Sequence, residues 1–167
     1  MILLGLGANL PSAAGGPRET LLGALQLLEE QGVRILARSP WYRTAPVPAS
    51  DQPWYWNAVA SVATDLPPDA LLAVLHAVER NLGRVRGERN AARSCDLDIL
   101  DYAGRVSAPG ESPVLPHPRL HQRGFVLLPL RDVAPGWRHP VLGRTVEELI
   151  AALPPGEEAR RAEGAEE

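Results

Sequence analysis

Residues 55–82 read YWNAVASVATDLPPDALLAVLHAVERNL, and the fold turns on the change of period inside this stretch. From Tyr55 to about Ala63 the side chains alternate, so that Tyr55, Asn57, Val59 and Ser61 share one face of a strand. After Asp65-Leu66-Pro67-Pro68 the apolar spacing lengthens to Leu71, Leu75, Val78 and Leu82, the stripe of a helix that Gly83 ends. Upstream, residues 1–7 read as an apolar first strand closing on Gly5-Leu6-Gly7. Small residues from Ala8 to Gly16 then lead to Pro17 at a helix start. Leu21, Leu22, Leu25 and Leu28 follow helical spacing up to Gly32. Val33 to Thr44 reads as a strand broken by Pro40, and a proline-rich loop from Ala45 to Pro53 joins it to the stretch quoted above. Downstream, an arginine-bearing loop at 84–93 precedes a strand through Asp96 and Asp98. The order strand–helix–strand–strand–helix–strand predicts an α+β, ferredoxin-like sandwich with a mostly antiparallel sheet.

Beyond Gly104, proline-rich segments precede short apolar runs at 125–130 and 146–152, which must add elements to the minimal unit. From Pro154 the chain is charged and rich in Gly, Ala and Pro without apolar periodicity. The expectation is one domain over 1–153 and a disordered tail over 154–167. No internal repeat is visible.

Composition narrows the chemistry. A net charge of −3 gives no global field to draw nucleic acid or a membrane surface, so any polyanion must be held by local clustering. No apolar run approaches the roughly 20 residues of a membrane span, and the N-terminus lacks the basic lead of a signal peptide. A single cysteine excludes an internal disulfide and a cysteine zinc cluster. These features predict a soluble, cytoplasmic protein, with a monomer as the expected state. All 17 basic residues are arginine. With no lysine, a P-loop, a pyridoxal Schiff base and a protein-kinase site are all ruled out.

The chemistry concentrates at Asp96-Leu97-Asp98. On a strand these two carboxylates point the same way, about 7 Å apart. Arg80, Arg84, Arg86, Arg89 and Arg93 precede them, while Pro116-His117-Pro118-Arg119 and Arg123-Gly124-Phe125 follow. Hard oxygen ligands suit one or two Mg2+ ions, and guanidiniums suit the phosphates such ions carry. Their neighbours from Cys95 to Leu100 are apolar, so burying the pair is costly unless cations compensate it. An Asp-x-Asp alone is more often a solvated strand face; it is the combination that points to a metal-phosphate site.

Tyr55 and Asn57 offer a stacking plate beside an amide edge, a pair suited to a flat heterocycle. Glu79 borders the apolar stripe of its helix, equally able to pair with Arg80 or Arg84 or to touch a ligand. His117 shares a short segment with Arg119 and Arg123, a setting suited to phosphate.

Together these segments resemble the 6-hydroxymethyl-7,8-dihydropterin pyrophosphokinase family of folate biosynthesis, in order from about residue 1 to 135. The blocks are Gly5-Leu6-Gly7-Ala8-Asn9-Leu10; Tyr42-Arg43-Thr44-Ala45-Pro46; Asp51-Gln52-Pro53 with Tyr55 and Asn57; Glu79 through Arg86; Arg93 with Asp96 through Leu100; and Pro116-His117-Pro118 with Arg123 through Leu127. The resemblance implies an α/β/α sandwich. It also implies transfer of the terminal diphosphate of ATP to the hydroxymethyl group of a reduced pterin, with release of AMP. It implies two Mg2+ ions on Asp96 and Asp98, catalytic roles for Arg84 and Arg93, and ATP contacts from Glu79, Arg84, Arg86, Arg93, Ile99, His117 and Arg123. The pterin would lie between Tyr55 and Phe125, with Asn57 on its amide edge and Thr44, Ala45 and Val47 completing its hydrogen bonds. The expected partners are these small molecules, with neither nucleic acid nor a membrane. The chain departs from the family pattern at Asn90 and Ala92, where tryptophan and proline are common, and at Ser112-Pro113-Val114. Residues 84–93 are expected to close as a lid over bound nucleotide. Two other readings share the same residues: a different Mg-dependent phospho- or nucleotidyltransferase, and a noncatalytic ferredoxin-like binding module.

Overall fold

Along Ile2–Ala8 (β1) the side chains of Leu4, Leu6 and Ala8 enter one hydrophobic cluster while Leu3 enters another. That alternation divides the molecule, a computed structural model describing residues 1–12, 15–45, 51, 53–83, 95–157 and 159–162, into three layers. The central sheet contains β1, Arg34–Arg38 (β2), Tyr42–Thr44 (β3), Tyr55–Ala63 (β4), Asp96–Tyr102 (β5) and Arg160–Arg161 (β6). Its main path runs β5-β1-β4-β3-β6, with β2 also paired to β4, and each pairing is antiparallel. Pro17–Glu30 (α1) and Pro68–Asn81 (α2) cover one face. Gly124–Val133 (α3) and Val146–Ala151 (α4) pack on the other. The expected α+β sandwich is the one observed.

Local chemistry explains where the helices begin and end. Pro17 and Pro68 stand in the first turns of α1 and α2, where a missing N–H costs nothing. Gly32 and Gly83, at φ +85° each, carry the chain out of them in a conformation that a side chain would strain. α4 is closed by a capping box: Thr145 accepts from the Glu148 amide while the Glu148 side chain reaches back to Thr145.

The break expected at Pro40 splits one edge into β2 and β3, both lying along the nine-residue β4. Ser39 carries the ladder across the gap. Its amide donates to Val59 O at 2.8 Å, and its hydroxyl accepts from Val59 N at 3.0 Å. β5 shows a register shift against β1, from Leu4↔Ile99 to Leu3↔Asp101. The shift turns Asp101 toward the α3 layer, where Trp137 Nε1 donates to its Oδ2 at 2.8 Å.

Part of the tail reaches the sheet. Arg160 and Arg161 pair with Arg43 and Tyr42, the Ala162 amide donates to Trp41 O at 2.8 Å, and Ala162 is buried. β3 presents open backbone groups at the sheet's rim, and the tail satisfies them without needing apolar periodicity of its own. Residues 163–167 lie outside the described residues.

Candidate active site

Two glycines make room for the site. In β1, Gly7 lies opposite Asn57 on one side and Asp96 on the other, while Gly5 lies opposite Val59 and Asp98. All of these residues face α3. A Cβ on Gly7 would stand 3.0 Å from Asn57 Oδ1, and one on Gly5 would stand 3.3 Å from Leu100 Cδ2. Without those side chains the sheet sinks into a small cleft open to solvent, lined by Asp96, Asp98, Asn57, Val59, Leu100 and Phe125 among others. The carboxylates and the amide are separated by two strand spacings, roughly 10 Å.

Asp96 and Asp98 are both half-buried, so the shared face expected for the pair is present. Leu97 and Ile99 point the other way, into the core beneath α1 and α2. The Ile99 side chain therefore does not reach the cleft, and a nucleotide contact there is confined to its backbone. Asn57 is buried and its Nδ2 donates to Thr44 Oγ1 at 2.8 Å, which holds the amide in one orientation. Tyr55 shares that strand face but is not among the residues lining the cleft, whereas Phe125, at the start of α3, does line it. The Arg123 guanidinium lies 5.4 Å from the centre of the Phe125 ring. Ala45 is exposed at the end of β3.

His117 is half-buried, and its amide donates to Leu100 O at 2.9 Å, which seats the loop against β5. Burial first, and then the charge of Arg123, lower its pKa to about 4, against a smaller opposing pull from Asp96. The ring is therefore neutral at pH 7. Its Nδ1 accepts from the Arg119 amide at 3.2 Å, which leaves the proton on Nε2 as a donor.

Glu79 is buried on the last turn of α2, and its Oε2 accepts from Leu97 N at 2.8 Å. Neither sequence reading of Glu79 anticipated this backbone anchor between the two aspartates. The glycine floor was also missed, although alternate glycines in an apolar strand signal a close approach. Arg84, Arg86, Arg93 and Val47, together with Asn90, Ala92 and the expected lid, lie outside the described residues.

Fold and site together define a class: an α+β domain whose antiparallel sheet carries a paired carboxylate and a buried amide on the floor of one cleft. A family model described as 7,8-dihydro-6-hydroxymethylpterin-pyrophosphokinase (HPPK) matches residues 3–135, and the chain belongs to that family. It is 41% identical over 153 residues to the 2-amino-4-hydroxy-6-hydroxymethyldihydropteridine pyrophosphokinase of Methylorubrum extorquens, covering 91% of this chain and 92% of that one. Its identity to the enzyme of the same name from Pseudomonas aeruginosa is 40% over 154 residues, covering 92% and 91% of the two chains. Among solved structures, a Plasmodium falciparum HPPK-DHPS triple mutant superposes with a TM-score of 0.68 at 16% identity. That match covers 90% of this chain but only 42% of the other, and it speaks for the fold.

Proposed function

We propose that this chain transfers the terminal diphosphate of ATP to the hydroxymethyl group of 6-hydroxymethyl-7,8-dihydropterin, giving the pterin diphosphate and AMP. One observation supports the reading: the glycine floor of β1 separates Asp96 and Asp98 on one neighbouring strand from Asn57 on the other, and Phe125 lines the same cleft. A ligand lying across that floor brings its ring to the amide and its reacting arm to the carboxylates. In the reaction the hydroxymethyl oxygen bonds to the β-phosphorus as the bond from that phosphorus to the α–β bridging oxygen breaks. AMP leaves with that oxygen, and the hydroxyl proton passes to Asp98 or to water.

The carboxylate pair fits Mg2+. Among the described residues no group of three or more His, Cys, Asp or Glu side chains forms a closed metal cage. Two aspartates therefore leave most of an octahedral shell to phosphate oxygens and water, as Mg2+ prefers. When bound, one or two such ions would neutralise charge on the triphosphate. His117 Nε2–H and Arg123 would donate to phosphate oxygens, joined by Arg84, Arg86 and Arg93. Glu79 would act by seating the strand that carries both aspartates. Asn57 would read the pterin amide edge against Phe125, with Tyr55, Thr44, Ala45 and Val47 around it. The described residues contain no helix long and apolar enough to cross a membrane, and the use of ATP as co-substrate is consistent with a cytoplasmic setting.

Incubation with ATP, Mg2+ and the hydroxymethyl pterin, read out as AMP and pterin diphosphate, tests the proposal. Asp96→Ala and Asp98→Ala should each lower turnover by at least about a thousandfold, since a metal centre supplies several kcal/mol of charge stabilisation. Their circular dichroism should match wild type. ADP or free diphosphate as product would indicate another phosphotransferase, and absence of turnover would indicate a binding module.

A further inference from the structure

We infer that residues 153–157 and 159–162 form a strap that positions the pterin end of the cleft, so that this C-terminal segment acts in substrate recognition. The inference rests on the function proposed above, and it deepens that function by assigning specificity to a part of the chain remote in sequence from the site. The strap leaves α4 at Leu153, which packs into the core beneath α3. It then crosses the first residue of α3. A methyl group on Gly124 would overlap the Glu157 carbonyl oxygen, and Gly124 N donates to Glu157 Oε2 at 3.4 Å. It ends as β6 on the rim of β3, with Ala162 buried and tied to Trp41 O.

Each landing point adjoins the cleft lining without belonging to it: Phe125 follows Gly124, and Asn57 pairs with Tyr42 of β3. Gly124 stands between Arg123 and Phe125 at the start of α3. β3 carries Thr44, whose hydroxyl orients the Asn57 amide. The same two elements are joined by Tyr42, whose hydroxyl donates to Asp132 Oδ2 of α3 at 2.5 Å. Tyr42 is the register partner of Asn57 on one side and of Arg161 on the other. Burial and the Asp132 carboxylate push the Tyr42 pKa up to about 12, with Arg161 and Arg131 pulling the other way. From Pro154 onward the described part of the strap buries only the small side chain of Ala162. Its contribution to the core is slight; its contacts fall on Phe125's helix and Asn57's neighbour strand.

The test uses the full-length chain with Gly124→Ala, Ala162→Asp and the double variant. The first pushes the strap off α3; the second expels it from the rim of β3. Binding of 6-hydroxymethyl-7,8-dihydropterin is measured with Mg2+ and α,β-methylene-ATP present, and binding of the nucleotide analogue is measured alone. Each single variant should weaken pterin binding about tenfold and raise the pterin KM to match, while analogue affinity stays within about twofold. The double variant should be no worse than the weaker single, because the overlap at Gly124 disappears once the strap is unseated. Should Ala162→Asp fail to fold, Gly124→Ala alone carries the same pterin-against-nucleotide comparison. Unchanged pterin binding in the folded variants would overturn the inference, as would equal losses for both ligands or full additivity in the double. A wild-type chain that turns over the pterin beside unaffected variants sinks the strap alone. A wild-type chain that does not bind the pterin sinks the proposed function with it.

Discussion

Asn57 carries two loads, because its Nδ2 is spent on Thr44 while its amide lines the cleft. Asn57→Ala should cost about 0.5–1.5 kcal/mol of stability for the lost hydrogen bond. It should weaken pterin binding at least about tenfold, since an amide edge left unpaired in the pocket costs about 1–3 kcal/mol. Binding of α,β-methylene-ATP alone should hardly change. Calorimetry with each ligand checks this, and equal losses for both would remove Asn57 from the pterin end. The residue itself was legible as a polar interruption two places from Tyr55. Its partner was not, because Thr44 meets it only through the pairing of β3 with β4. Gly7 is the reciprocal case: its value lies in an absent side chain, and only the row Asp96, Gly7, Asn57 shows what that absence opens.

Between elements, the joint of α2 with β5 decides how the aspartates are presented. Glu79 is 1% exposed, and its carboxylate accepts the amide that lies between Asp96 and Asp98. Glu79→Ala removes that acceptor from a buried N–H and should destabilise the chain by about 1–3 kcal/mol. Turnover should fall beyond what lost stability explains, because the aspartate strand loses its anchor. Glu79→Gln keeps an acceptor oxygen and should recover much of both. Urea unfolding of the two variants decides it; an alanine variant as stable as wild type would mean that the bond does not hold the strand. The helical spacing of α2 placed Glu79 beside its apolar stripe. It could not say that a strand eighteen residues on would present an amide there. The break at Pro40 was more legible, since a proline cannot donate to a ladder. Only the pairing shows Ser39 closing that gap with its own hydroxyl.

At the scale of the whole molecule, two histidines are held neutral, and acid should loosen the fold. His117 is lowered to about 4 by burial and Arg123, against Asp96. His139 is lowered by burial and by His121, against Asp101. Both folded-state values lie below the ordinary 6.5 of an unfolded chain, so the unfolded chain takes up protons first. Their contribution is present in full above pH 6.5 and is lost as pH falls toward the folded value, about 4 for His117. Urea midpoints should therefore drop between pH 7 and pH 4.5. His117→Asn should flatten that dependence, because the residue that must stay neutral can no longer take up a proton. An unchanged midpoint across the range would contradict the burial of these rings as the controlling factor.

Sequence by itself determined the period changes, the proline and glycine boundaries of both helices, and the carboxylate pair on one strand face. These are local properties: they follow from side-chain alternation, from φ angles only glycine tolerates, and from donors that proline lacks. The same local chemistry carried the order of elements, and with it the antiparallel sandwich. Tertiary structure decided what depends on residues far apart in the chain. It set the glycine floor between Asp96 and Asn57, the Glu79 anchor, and the docking of the tail on β3. The tail shows the reason most plainly. Nothing from residue 154 onward repeats with a period, because what seats residues 157 and 159–162 is supplied by others: the open backbone edge of β3 and the missing side chain of Gly124.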